Sequence, residues 1–214
     1  MDGEDEKVDM IKLLVATNNP GKVREYQALL KGLPLTLTYP TQEGIDIEVE
    51  ETGSTFAQNA HLKAMVYART SGLLTLADDS GLEVDALGGE PGTRSARYAG
   101  QGASDVDRYR LLLSKLEGVP WQQRTARFRC VIAVARPQGG VHTAQGSCEG
   151  AIAFEPRGEH GFGYDPVFYV PEHGQTMAEL EPEVKNRMSH RARAAEGARK
   201  IFHELLDGIM DLEN

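Results

Sequence analysis

Four groups of residues have types and spacings suited to chemistry on an anionic ligand. Asp78-Asp79-Ser80-Gly81 directly follows the apolar run at 73–77. Adjacent carboxylates beyond the end of a strand suit Mg²⁺, which takes oxygen ligands and keeps several waters. Gly81 is expected to let the backbone turn sharply; an Asx-turn without an ion is the alternative. Glu51 begins a turn and offers a second carboxylate beside Glu50. Asn59 and Lys63 share a helical stripe at i, i+4, which lets Lys63 reach a phosphate; a solvated acidic turn and a surface lysine are the alternative. Thr17-Asn18-Asn19-Pro20-Gly21-Lys22 joins a strand to a helix. Such a loop offers free backbone N–H groups and the positive end of the helix dipole, and Lys22 adds a cation. It is not a P-loop, because GxxxxGK[ST] is missing, and a plain connector stays open. The last group is Phe162-Gly163-Tyr164-Asp165, then Lys185, then Ser189-His190-Arg191. Cations at a helix N-terminus oppose the dipole, so His190 and Arg191 are expected to meet a ligand rich in acceptor oxygens. Ordinary surface basicity is the competing explanation.

The elements that must position these groups interleave strands and helices. Residues 11–16 read as a buried strand, 21–31 as a helix, 35–39 as a short strand, and 45–49 alternate weakly. A helix is expected over 55–70, with Phe56, Ala60, Ala64 and Tyr67 on one stripe. Strands follow at 73–77 and 82–87, then a helix at 105–116 capped by Ser104 or Asp105. Residues 128–135, 141–148 and 151–154 read as three strands, and 167–170 as a short apolar segment. Ser189 caps a final helix to about 212, with Ala194, Ala198, Ile201, Leu205 and Ile209 buried. The class is α/β.

Composition removes several functions. The 214 residues suit one domain, or two small lobes sharing a core. Lys and Arg number 23 against 32 Asp and Glu, a net charge of −9, which opposes nucleic-acid wrapping but not a small anion in a local pocket. Cys130 and Cys148 form no CxxC and are expected to be buried free thiols. The histidines lack HxH and HExxH spacing, which argues against a zinc site, and no GxSxG is present. No apolar run is long enough to span a bilayer. The acidic start, MDGEDEKVDM, is the reverse of a signal peptide and reads as a flexible leader at 1–10, so the cytoplasm is expected.

Taken in order, LLVATNNPGKVREY, ETGSTFAQNAHLKA, LADDSGLEVDALGGEPGTRSARYAG, GFGYDPVF and KNRMSHRARA cover nearly the whole chain. Together they resemble the non-standard purine nucleoside triphosphate pyrophosphatases, also called inosine/xanthosine triphosphate pyrophosphatases. The resemblance implies a long mixed sheet with flanking helices and two lobes around a cleft, with 11–214 as one domain. It also implies a cytoplasmic homodimer that requires Mg²⁺ and cleaves dITP, ITP or XTP to monophosphate and pyrophosphate, cleansing the nucleotide pool. By resemblance, Thr17, Asn18, Asn19, Pro20, Gly21 and Lys22 hold the triphosphate. Asp79 is the acid/base and a metal ligand, Glu51 the second metal carboxylate, and Lys63 a phosphate contact. Ser80 touches substrate. Phe162, Gly163, Tyr164, Asp165, Lys185, His190 and Arg191 recognise the base. Asp78 is expected to face away from Asp79, so its loss should be milder, and losing Arg191 should cost discrimination more than stability. The nearest alternative is a related pyrophosphatase acting on modified pyrimidine or 7-methylated nucleotides; a non-catalytic nucleotide sensor is a third reading.

Overall fold

A computed structural model describes residues 10–210, with side chains to 206. The leader, apart from Met10, lies outside the described residues, as do the end of the last helix beyond 210 and the side chain of Ile209.

Seven strands form one sheet in the order β2-β1-β3-β4-β5-β6-β7. They are β1 (Ile11–Val15), β2 (Leu35–Thr38), β3 (Leu74–Val84), β4 (Thr125–Ala135), β5 (Val141–Ile152), β6 (Phe168–Val170) and β7 (Gln175–Thr176). β1 runs parallel to β2 and β3, and all other pairings are antiparallel, so the sheet is mixed. The helices are α1 (Pro20–Leu29), α2 (Phe56–Ser71), α3 (Asp105–Lys115), α4 (Pro182–Met188) and α5 (His190–Met210). None of the described helices is long and apolar enough to cross a membrane.

Local chemistry sets the helix starts. The Asn19 side chain accepts from the N–H groups of Gly21 and Lys22, and Pro20 supplies a helical φ at the first turn. Thr55 caps α2, and Ser104 with Asp107 forms a capping box on α3. The Ser189 hydroxyl accepts from Ala192 N–H at 3.2 Å, so the expected cap of the last helix is present. Gly72 ends α2 at φ 70°, where a side chain would be strained.

Alternation along the long strands separates two faces. Leu13, Val15, Leu76, Cys130, Ile132 and Val134 pack with α1 and with Ala194, Ala198 and Phe202 of α5. Leu14, Ala77, Val131 and Ala133 pack with the Phe56, Ala60, Ala64 and Tyr67 stripe of α2. A third cluster joins Leu82, Val84, Phe128, Cys148 and Ile152 to Leu112 of α3, to Leu116 just beyond its end and to Phe168. Both cysteines are buried and free, and burial pushes their thiols up, to about 12 for Cys130 and about 11 for Cys148.

The sequence expectation is corrected at five places, one being the strand expected at 82–87, which ends at Val84 and gives way to a 3-10 turn at Asp85–Leu87. Residues 78–81 do not turn: they lie inside β3, paired residue by residue with β4 from Thr75↔Ala135 to Val84↔Ala126. Backbone pairing overrides the turn propensity of Asp, Ser and Gly. Gly81 serves close approach instead, since a Cβ there would meet Gly92 O and Ser95 Oγ at 2.5 Å. Residues 45–49 form no strand; Ile45, Ile47 and Val49 pack against the α2-side cluster without a ladder partner. Residues 151–152 continue β5 rather than starting a new strand. Finally, α4 and a 3-10 segment at Gly92–Arg97 were not expected from hydrophobic periodicity, being too short to show it.

Candidate active site

The cleft forms where β3 outruns its parallel neighbour. β1 pairs with β3 only from Leu74 to Leu76, and Ala16 N–H closes the pairing on Leu76 O at 2.8 Å. Beyond that point the chain of β1 peels away into 17–19 and α1, leaving one edge of β3 open. β1 is followed by strand neighbours on opposite sides, so this is a topological switch point, where ligands bind in open α/β sheets.

Alternation then sends Asp78 and Asp79 to opposite faces. Asp79 faces α2. Its Oδ2 accepts from Asn59 Nδ2 at 3.0 Å, and its Oδ1 lies 3.5 Å from Lys63 Nζ. Lys63 Nζ also binds Glu51 Oε1 at 2.6 Å, so one ammonium stands between two carboxylates. Asn59 is wholly buried and accepts from Gly53 N–H at 2.8 Å, tying the turn that carries Glu51 to the helix. Burial raises the Asp79 carboxyl above the ordinary aspartate value; Lys63 opposes this and the Glu51 charge adds to it. Burial works against the Lys63 charge, but Asp79 and Glu51 outweigh it and hold the lysine firmly protonated.

Asp78 faces α1 and α5, at 2.9 Å from Lys22 Nζ and 3.4 Å from Arg191. Burial alone would raise its carboxyl, but Lys22 and Arg191 hold it well below the usual carboxylate range. Arg191 also contacts Glu25 at 2.5 Å and donates to Ser80 Oγ at 2.9 Å. Lys185 bridges Glu25 at 2.9 Å and Asp165 at 2.5 Å. Asp165, Lys185, Glu25, Arg191, Asp78 and Lys22 thus alternate in sign, three carboxylates with three cations. The expectation that a ligand must compensate Arg191 at the helix start is therefore corrected: Glu25 and Asp78 do so within the chain. His190 is buried and stacks on Phe128 at 4.6 Å and 16°. Burial and the neighbouring Arg191 and Lys185 charges push its pKa well below the ordinary histidine value, so it is neutral at pH 7. Its Nδ1 and Arg191 Nε are buried without a hydrogen-bond partner among the described residues. Phe162 projects over this end, with Lys185 and Arg191 at 5.0 and 5.6 Å from its ring centre. A Cβ on Gly21 would meet the Phe162 ring at 2.4 Å, so glycine is needed for that approach.

A family model for the Ham1 family matches residues 13–201. The chain belongs to the Ham1 family. The dITP/XTP pyrophosphatase of Desulforamulus reducens is 55% identical over 195 residues, covering 91% of this chain and 97% of that protein. The dITP/XTP pyrophosphatase of Bacillus subtilis is 46% identical over 193 residues, 90% of this chain and 98% of the relative. Among solved structures, a HAM1 protein from Coxiella burnetii superposes with a TM-score of 0.83 at 44% identity, covering 91% of this chain and all of that one. The Staphylococcus aureus Ham1 protein gives 0.76 at 40% identity, covering 95% of this chain and all of that one.

In this Ham1 chain, Asn19, Lys22, Glu51, Asp79, Ser80, Phe162, Gly163, Tyr164, Asp165, Lys185, His190 and Arg191 all line the same cleft. Lys63 stands behind it on Glu51 and Asp79. Thr17, Asn18, Pro20 and Gly21 do not line it. The Thr17 hydroxyl accepts from Asn19 N–H, and Asn19 in turn captures the N–H groups of Gly21 and Lys22. The free first-turn donors expected of this loop are therefore occupied by its own cap. Sequence reasoning missed Glu25, one helical turn beyond Lys22, and Thr93, Asp105, Arg108 and Phe128 in the lining. Glu25 had a signal: a carboxylate at i+3 from Lys22 on the face that also carries Tyr26.

Proposed function

We propose that this Ham1 chain hydrolyses dITP, ITP and XTP to the nucleoside monophosphate and pyrophosphate, keeping these nucleotides out of DNA and RNA. One observation carries the reading. A buried carboxylate with a raised pKa, Asp79, shares a cleft with a donor-rich, aromatic-edged end formed by Phe162, Lys185, His190 and Arg191. The names of the bacterial relatives support dITP and XTP among these substrates.

The acidic end fits Mg²⁺. Glu51 and Asp79 are hard oxygen donors that already converge on one cation, the Lys63 ammonium. Two such carboxylates suit Mg²⁺, which is usually held by one or two carboxylates plus waters and substrate phosphates. When bound, it would neutralise phosphate charge and stabilise the charge developing on the pyrophosphate leaving group.

The remaining work falls to side chains. Asp79 accepts the proton of the attacking water, a role its raised pKa favours. Lys63 and Lys22 supply positive charge along the triphosphate, each held by a carboxylate until substrate arrives. Hypoxanthine and xanthine carry a 6-oxo acceptor, which suits the cations and the unpaired Arg191 Nε at the far end. Adenine presents an amino donor there and leaves buried groups unpaired, a mismatch worth roughly 10⁴-fold in rate. Phe162 offers the stacking face.

Product analysis with dITP and Mg²⁺ tests this reading. Pyrophosphate and dIMP are expected in equal amounts. Orthophosphate as the direct product refutes it, and a panel of modified pyrimidine and 7-methylated nucleotides tests the nearest alternative.

A further inference from the structure

Two successive amides of the loop at 161–165 are held by carboxylates. Phe162 N–H donates to Asp165 Oδ2 at 2.8 Å, a bond within the loop. Gly163 N–H donates to Asp105 Oδ2 at 2.6 Å, a bond across the cleft to the first turn of α3. The other oxygen of Asp105 is paired with the Arg108 guanidinium. Arg108 also donates to Ala96 O at 2.7 Å and Ala103 O at 3.0 Å. A parallel tie runs from the Tyr164 hydroxyl to Ser95 O at 2.9 Å, and Ser95 Oγ accepts from Leu82 N–H of β3 at 2.9 Å. The loop is thus fastened to the 3-10 segment at 92–97, and through it to the strand that carries Asp79.

We propose that Asp105 is a positioning residue: braced by Arg108, its carboxylate holds the Gly163 amide and so sets where Phe162 stands over the cleft. Gly163 sits at φ 65° between Phe162 and the anchored Tyr164. Without the Asp105 bond, the 162–163 peptide keeps only the local bond in which Phe162 O accepts from Asp165 N–H at 3.3 Å, and Phe162 gains freedom to leave its place above Lys185 and Arg191. The helix keeps its start in either case, because the capping box of Ser104 and Asp107 does not use Asp105.

This inference rests on the purine-nucleotide reading of the cleft, but its first measurement does not. Amide hydrogen exchange compares ligand-free wild type with Asp105→Ala and Asp105→Asn. In Asp105→Ala the amides of 162–164 should exchange about ten-fold faster, the worth of one charge-assisted hydrogen bond. Asp105→Asn, whose carbonyl still accepts, should stay near wild type. Unchanged exchange in Asp105→Ala overturns the tie, whatever the enzyme's substrate. Kinetics with dITP then test the consequence. KM should rise about ten-fold in Asp105→Ala with kcat nearly unchanged, Asp105→Asn should recover most of it, and Asp105→Ala with Phe162→Ala should be no worse than Phe162→Ala alone. Losses that multiply, or that fall on kcat, overturn positioning through Phe162. Absence of dITP turnover in wild type would sink the functional reading and leave the exchange result to decide the tie.

Discussion

Asp78→Asn and Asp79→Asn should give opposite phenotypes although the residues are adjacent. Asp79→Asn keeps the contacts that hold the fold. Asn59 Nδ2 can still donate to the new carbonyl oxygen, and Lys63 keeps Glu51 at 2.6 Å. It also relieves the repulsion between Glu51 and Asp79. Thermal stability should therefore stay close to wild type. Turnover should collapse, because asparagine cannot accept the proton of water; loss of a general base costs about 10²–10⁴-fold. Asp78→Asn leaves Lys22 and Arg191 facing a neutral group, with Asp78 and Arg191 each only 2% exposed. Breaking a buried pair costs about 3–5 kcal/mol. At about 2–4 °C per kcal/mol for a domain of this size, the midpoint should fall by roughly 6–20 °C. The sequence expectation of a milder loss at Asp78 concerned turnover; the ion pairs on its own face add a stability cost. Pyrophosphate release from dITP at saturating Mg²⁺ and melting followed by circular dichroism measure both variants. Asp79→Asn retaining more than about a tenth of kcat, less than any general base supplies, refutes the proposed role. Asp78→Asn melting with wild type refutes the ion chain.

Three further outcomes are expected. The Asp79 carboxyl, followed by carbon NMR in metal-free protein, should titrate above the ordinary aspartate value of 3.8, and Glu51→Gln should move it down; the deprotonated base is then lost as pH falls through this raised pKa, and a titration at or below 3.8 refutes the account. Arg191→Ala should cost about 3–5 kcal/mol because Glu25 and Asp78 each lose one of their two cations inside the protein, so stability suffers along with discrimination, contrary to the sequence expectation; an unchanged melt in urea refutes it. Gly21→Ala should raise KM by displacing Phe162, while helix propensity favours alanine by about 1 kcal/mol, so a lower melting temperature with unchanged KM contradicts the packing argument.

The fold was legible where side-chain periodicity is strong. Val131, Ile132 and Val134 announce β4, and the Phe56, Ala60, Ala64 and Tyr67 stripe announces α2. It was least legible at 78–81, where local propensity and tertiary pairing disagree. Asp, Ser and Gly favour a turn, yet β4 supplies a backbone partner to every residue from Thr75 to Val84, and the polar side chains find partners on both faces. Short elements such as α4 escape periodicity altogether, since seven residues hold less than two turns of pattern.

The candidate site divides in the same way. Residue type and order brought together most of the cleft lining, but not the electrostatic logic linking its parts. The sequence suggested a turn at Asp78-Asp79 yet expected the two side chains to face apart. On β3 they do, and the pair is split between two tasks. Asp78 neutralises Lys22 and Arg191 on the α1 and α5 face, while Asp79 meets Lys63 and Glu51 on the α2 face. One strand thereby sets a paired carboxylate on each of its faces. Lys22 and Lys63 are each paired with a carboxylate, so a dianionic or more highly charged ligand competes with Asp78 and Glu51 for them. That competition explains how a chain of net charge −9 can accept a triphosphate: the positive charge already stands in the cleft, paired and in reach.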